Sequence, residues 1–363
     1  MLNGITIIDF TNYLPGPFAT LRLAEFGASV IKVEAPEGDP ARSMAIKQKG
    51  EGIVFTANNR EKRSIVLNLK EQDGREAALK LISQADAIIE SFRPGVMQKL
   101  GMDYESVRDL NPAIVYCSLT GYGDRSSMSR LGSHDLNYMA LSGALSQLKD
   151  SGHGRPVHPT ITFADYLGGM AASERILAAL LLKERTGKGS YHCISIAETM
   201  TSIMGVHMLA EKETGYGQGL TELNGDFISY AIYETQDGRY VSLAALEPKF
   251  WENFCVALQK PDWLDAHFSK THHLNPVYEE MKSEFCSRTL NEWTKFSLAI
   301  DCCLTPVLEV GELKNFPLFQ GSILDSQVRM HPDLAVNLGE RSPLKGEHTD
   351  EILCELKTSE KMN

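Results

Sequence analysis

Short apolar runs alternate with stretches of helical periodicity along the first half of the chain. Ile5-Thr6-Ile7-Ile8-Asp9-Phe10 reads as a buried strand, Pro15-Gly16-Pro17 opens an amphipathic helix closing near Phe26-Gly27, and Ser29-Val30-Ile31-Lys32-Val33-Glu34 is the next strand. This βαβ opening predicts parallel strands with right-handed crossovers. The alternation continues with a strand over 64–69, a helix over 71–85, a strand over 86–90, short helices to Leu110 and a strand over 113–119. A strand over 191–196 and a helix over 197–212 follow. The order predicts a doubly wound, Rossmann-like α/β domain. A glycine-rich passage over 215–226 reads as a linker to a second, smaller domain. That domain opens with a hairpin around Gln236-Asp237-Gly238 and continues with helices from Pro248, Pro276 and Leu290.

Composition narrows the function. A formal net charge of -11 argues against a nucleic-acid partner, which needs a basic face. No apolar run reaches the roughly 20 residues of a membrane span, and Asp9, Arg22 and Glu25 interrupt the place of a signal peptide, so a cytoplasmic protein without a membrane partner is expected. The cysteines at 117, 193, 255, 286, 302, 303 and 354 are scattered, as suits reduced thiols. After the first strand, Thr11 to Pro17 lacks the glycine triplet of a dinucleotide site. His153, His158, His192 and His207 with Asp165 match no ligand spacing, so no metal is expected.

Candidate chemistry gathers between Leu131 and Gly169. His134 follows Gly132-Ser133 and precedes a helical pattern, so it reads either as an ordinary helix-start histidine or as a proton carrier. Asp165 stands before Gly168-Gly169 and a long apolar helix ending at Gly187. It reads as an N-cap, and equally as a base or nucleophile beside first-turn amides that the glycines leave open to a ligand oxygen. Glu247, before the helix-starting Pro248, is a loop acid or a carboxylate that orients a histidine from the other domain. Met200, Met204 and Met208 share one helix face and read as core. Arg60, Lys62 and Arg63 precede a strand, and Arg93 in Ser91-Phe92-Arg93-Pro94-Gly95 follows one, where open α/β sheets bind ligands. Such cations suit phosphates.

With these residues in view, the chain resembles the family III coenzyme A transferases, the CaiB/BaiF family, and within it the α-methylacyl-CoA racemase branch. The likeness runs through Pro15-Gly16-Pro17, Gly27-Ala28 to Glu34, Lys62-Arg63-Ser64, Arg93-Pro94-Gly95, Gly121-Tyr122-Gly123, Gly187-Lys188-Gly189 and Thr305-Pro306-Val307. The branch rests on His134-Asp135-Leu136-Asn137-Tyr138, Ala164-Asp165-Tyr166-Leu167-Gly168-Gly169 and Leu246-Glu247-Pro248. Tyr166-Leu167 departs from the Phe-Gly often found in racemases, and Ala197-Glu198-Thr199-Met200 lacks the Asp-Gly of many relatives.

The resemblance implies that His134 and Asp165 flank the α-carbon of a 2-methylacyl-CoA, one removing the α-proton and the other returning one, while amides at the Asp165 helix hold the enolate and Glu247 orients the imidazole. In a transferase, Asp165 is instead the nucleophile that forms an acyl anhydride. Arg42, Lys62, Lys70 and Arg93, with Gly132, would bind the coenzyme A part of the substrate, and no cofactor beyond it is expected. The implied assembly is an interlocked homodimer. Its large domain, over 1–214, would be rejoined by a C-terminal return over 326–363 after the small domain of 227–325.

Overall fold

Alternating isoleucines decide which way each strand faces. In β1 (Thr6–Phe10), β2 (Ser29–Glu34) and β4 (Ala87–Glu90), the residues Ile7, Val30 and Ile89 join one apolar cluster, and Ile8, Ile31 and Ile88 join another. Strands buried on both faces belong in the middle of a helix-covered parallel sheet. The remaining strands of this six-stranded sheet are β3 (Lys62–Val66), β5 (Val115–Thr120) and β6 (Ser190–Ser195), and all neighbours pair in parallel in the order β3-β2-β1-β4-β5-β6. Helices α1 (Pro15–Glu25) and α4 (Phe163–Thr186) supply Ala19, Leu23, Ala172 and Ile176 to the first cluster. The second cluster takes Leu81 and Ile82 from α2 (Gln72–Ser83), and Ile352 and Leu356 from α6 (Thr349–Ser359).

The computed structural model describes residues 1–44, 46–150, 154–324, 327–328 and 341–359. His153 lies outside them, as do residues 326, 329–340 and 360–363 of the expected return over 326–363. The chain divides into two compact units, Met1–Met204 with Leu324–Asn363, and Gly205–Ile323. In the larger, the strand order reverses between β1 and β4, which opens a crevice at their carboxyl ends. The loops leaving these two strands are tied there by Asn12 N–H donating to Ser91 Oγ, at 3.3 Å.

The smaller unit packs three antiparallel strands, Tyr230–Glu234, Tyr240–Ala244 and Leu304–Pro306, with helices that begin at Pro248, Pro276 and Leu290 as expected. Trp251, Trp263, Trp293, Phe254 and Phe285 fill its core.

One expected helix is two. The pattern over 197–212 breaks into α5 (Ile196–Ser202) and a helix over Gly205–Thr214, with glycine, a poor helix former, at the joint and the boundary of the units between Met204 and Gly205. The boundary thus falls upstream of the glycine-rich 215–226 passage. It also divides the methionine stripe: Met200 and Met204 are buried, whereas Met208 is exposed and is not core.

Candidate functional site

The helix starts that the sequence singled out meet at one joint. His134 precedes α3 (Asp135–Leu141) in extended conformation; its N–H donates to Asn137 Oδ1 at 3.0 Å, and the Asn137 N–H donates to its carbonyl at 2.9 Å. The backbone is therefore fixed, while the imidazole is exposed. Asp165 is not the N-cap of α4. That position is Thr162, whose side chain makes no capping bond, and Asp165 lies within the first turn. Its otherwise orphaned N–H donates to Asp135 Oδ1 at 3.0 Å, so a carboxylate from α3 caps the start of α4. Through this bond the residue after His134 is fastened to Asp165.

The glycines after Asp165 do a different job from the one expected. A Cβ at Gly168 would come within 2.8 Å of Ile196, and one at Gly169 within 2.5 Å of the Pro15 carbonyl oxygen. Both glycines are buried and let α4 pack closely against α5 and α1. The Asp165 amide is taken by Asp135, so of the enolate donors implied at this helix start that one is already engaged.

The joint is electrostatically tuned. Burial first, and the Asp135 charge second, push the Asp165 carboxyl up to about 7. Buried Tyr138 accepts a hydrogen bond from Ser133 Oγ at 2.8 Å, and its hydroxyl is pushed up by burial, with the Asp165 charge contributing. The Tyr13 ring stands 6.5 Å from that of His134 at an interplanar angle of 85°.

Of the cations expected to bind coenzyme A, Arg93 lies next to this joint. Its Nη2 is 3.4 Å from where a Cβ on Gly132 would stand, and it lines a cavity of about 210 Å³ with Glu90, Tyr116, Ser118 and Tyr191 at the carboxyl ends of β4 and β5. Lys70 is exposed in the loop after β3. Arg42 and Lys62 are placed otherwise. The Arg42 guanidinium is buried, donates to both Glu34 oxygens at 2.7 Å, and lies over the Phe55 ring at 3.6 Å. Lys62 Nζ is fully buried against Asp9 at 3.1 Å and Asn59 Oδ1 at 2.9 Å; burial pushes it down to about 8 although Asp9 opposes this. Both donors are engaged inside the fold because the buried carboxylates of Glu34 and Asp9 require partners. Glu247 is in the smaller unit, exposed, at the N-cap of the Pro248–Ala257 helix without a capping bond from its side chain.

Sequence reasoning passed over Tyr13 and Asp135. Asp135 was visible in the His-Asp pair, but its role needs the neighbouring helix. Tyr13 carries no local signal of its backbone conformation. Among the described residues, no cluster of side chains fits a metal ion, and no helix is long and apolar enough to cross a membrane.

The larger unit is thus an α/β sheet of Rossmann order in which Asp165, pushed up to about 7, is fastened to the residue after His134. The chain belongs to CoA-transferase family III, whose family model matches residues 2–335. It is 33% identical to the human α-methylacyl-CoA racemase over 98% of this chain and 93% of that protein. It is 28% identical to the human succinyl-CoA:glutarate CoA-transferase over 98% of this chain and 86% of that protein. A CaiB/BaiF family protein from Brucella suis has the same fold, with a TM-score of 0.83 at 25% identity, covering 98% of this chain and 99% of that one.

Proposed function

We propose that this enzyme racemises 2-methylacyl-CoA thioesters by moving the α-proton between His134 and Asp165. The observation that carries the reading is the joint at which Asp135 fastens the start of α4 to the residue after His134, with Asp165 held near neutrality. An acid–base group works best when its pKa is close to the operating pH, because both protonation states are then populated. A carboxylate that attacks a thioester needs only the ionised form, so a raised pKa favours proton transfer over anhydride formation. Arg93 would neutralise a coenzyme A phosphate from the rim of the adjoining cavity, with exposed Lys70 as a second cation. No metal or redox cofactor is required, since the substrate supplies the acidified α-carbon.

A cytoplasmic, interlocked homodimer accompanies this reading. The exposed Val206, Met208 and Leu209 of the Gly205–Thr214 helix are the kind of surface a second copy would cover.

The test is incubation of one enantiomer of 2-methylacyl-CoA in D2O. Racemisation with α-deuteration, abolished in His134→Ala, supports the proposal. Transfer of coenzyme A onto an added free acid, without α-exchange and with a covalent adduct at Asp165, would overturn it in favour of a transferase.

A further inference from the structure

We infer that Tyr13 is a positioning residue for His134, held in place by the buried Lys32–Asp39 ion pair. The inference rests on the racemase reading. Tyr13 has φ 66°, in the left-handed region that non-glycine residues rarely enter. Such a conformation persists only where the surroundings impose it. Here they do. The Tyr13 N–H donates to Asp39 Oδ1 at 3.1 Å, and the same oxygen accepts from Ala41 N–H at 2.9 Å. The other Asp39 oxygen pairs with Lys32 Nζ at 2.9 Å, and both of these side chains are fully buried. Lys32 also lies 4.0 Å from Asp9. The buried charges at the carboxyl ends of β1 and β2 therefore reach outward to the backbone of one exposed residue.

What that residue presents is an aromatic ring, 44% exposed, edge-to-face with His134. An exposed imidazole samples several rotamers, and a general base must keep one of them. A ring fixed through its own backbone takes away part of that freedom. It also places an apolar wall beside the proton carrier, on the loop at the crevice between β1 and β4.

The test separates the ring from the backbone. Tyr13→Gly keeps the left-handed conformation and removes the ring; Tyr13→Phe keeps the ring. The expected result is a kcat lowered about tenfold in Tyr13→Gly with KM nearly unchanged, and kcat close to wild type in Tyr13→Phe. In D2O, Tyr13→Gly should also gain deuterium in the starting enantiomer relative to inversion, because a misplaced His134 returns its proton less efficiently from the far face. The His134 ring-proton NMR shifts should move in Tyr13→Gly and hold in Tyr13→Phe, a readout that needs no activity. A Tyr13→Gly enzyme with wild-type kcat and unmoved His134 shifts would overturn the inference alone. A wild-type enzyme that shows no α-exchange would overturn the racemase reading beneath it.

Discussion

Replacing Asp165 by asparagine should stabilise the larger unit at neutral pH, because the site holds an ionisable group where ionisation is unfavourable. The carboxyl is displaced from 3.8 to about 7, chiefly by burial and then by the Asp135 charge, with buried Tyr138 also nearby. For a carboxyl whose folded-state pKa is raised, the stabilising contribution is complete below 3.8 and is lost as pH rises through about 7. At about 1.4 kcal/mol per pH unit the ceiling on that loss is roughly 4 kcal/mol, and partial exposure of the side chain reduces it to about 2 kcal/mol. Asparagine keeps the shape and has no charge to desolvate. The advantage of Asp165→Asn over wild type should therefore grow by about 2 kcal/mol between pH 4.5 and pH 8, while racemisation disappears. Glu90, pushed up to about 7 by burial, titrates in both proteins and cancels in the comparison. The assay is urea unfolding across this pH range. All three tryptophans, Trp251, Trp263 and Trp293, lie in the smaller unit, so their fluorescence is an internal control while far-UV circular dichroism reports both units. A difference that stays constant with pH to within about 0.5 kcal/mol would refute the argument.

Other outcomes follow from single contacts. Gly169→Ala should lower stability by about 1–3 kcal/mol in thermal or urea unfolding, because its Cβ meets a backbone oxygen that cannot move aside cheaply. Arg93→Ala should raise KM for the CoA ester about tenfold with little change in kcat, and the wild-type KM should rise with added salt while that of the variant does not. Arg42→Ala should instead destabilise the fold by about 3–5 kcal/mol, since Glu34 is left buried without its cation; an unchanged melting temperature in calorimetry together with a raised KM would return Arg42 to the binding surface.

The sheet was legible because β1, β2 and β4 each carry two or more consecutive apolar residues, Ile7-Ile8, Val30-Ile31 and Ala87-Ile88-Ile89, and side chains on both faces of a strand are apolar only where both faces are buried. The hairpin around Asp237-Gly238 and the helices at Pro248, Pro276 and Leu290 carried their own turn and start signals. Leu304–Pro306 is a three-residue strand, too short for any period to show. At the site, His134 and Asp165 were found by residue type and company. The cap on Asp165 was misread because its acceptor, Asp135, comes from another helix, and no local pattern encodes a bond between elements thirty positions apart. Arg42 and Lys62 were taken for ligand contacts because a sequence shows charge without showing the buried Glu34 and Asp9 that claim it.

The edge strand β3 is closed by residues that come near the end of the chain. Ser64 receives His348 N–H at its carbonyl (3.0 Å) and Gly346 N–H at its hydroxyl (2.8 Å), Val66 N–H donates to Thr349 Oγ1 (3.1 Å), and Arg63 pairs with Glu355. During synthesis, β3 leaves the ribosome long before these partners exist, because the whole of Gly205–Ile323 is made in between. Gly346 follows Val66 by 280 residues, so at about 5–20 residues per second that interval lasts on the order of 14–56 s. Throughout it the nascent sheet carries an open edge, the kind that pairs with foreign strands. This protein should therefore depend on chaperone occupancy more during its own translation than after release, and codon changes that slow the Gly205–Ile323 segment should lower its soluble yield without altering a single residue.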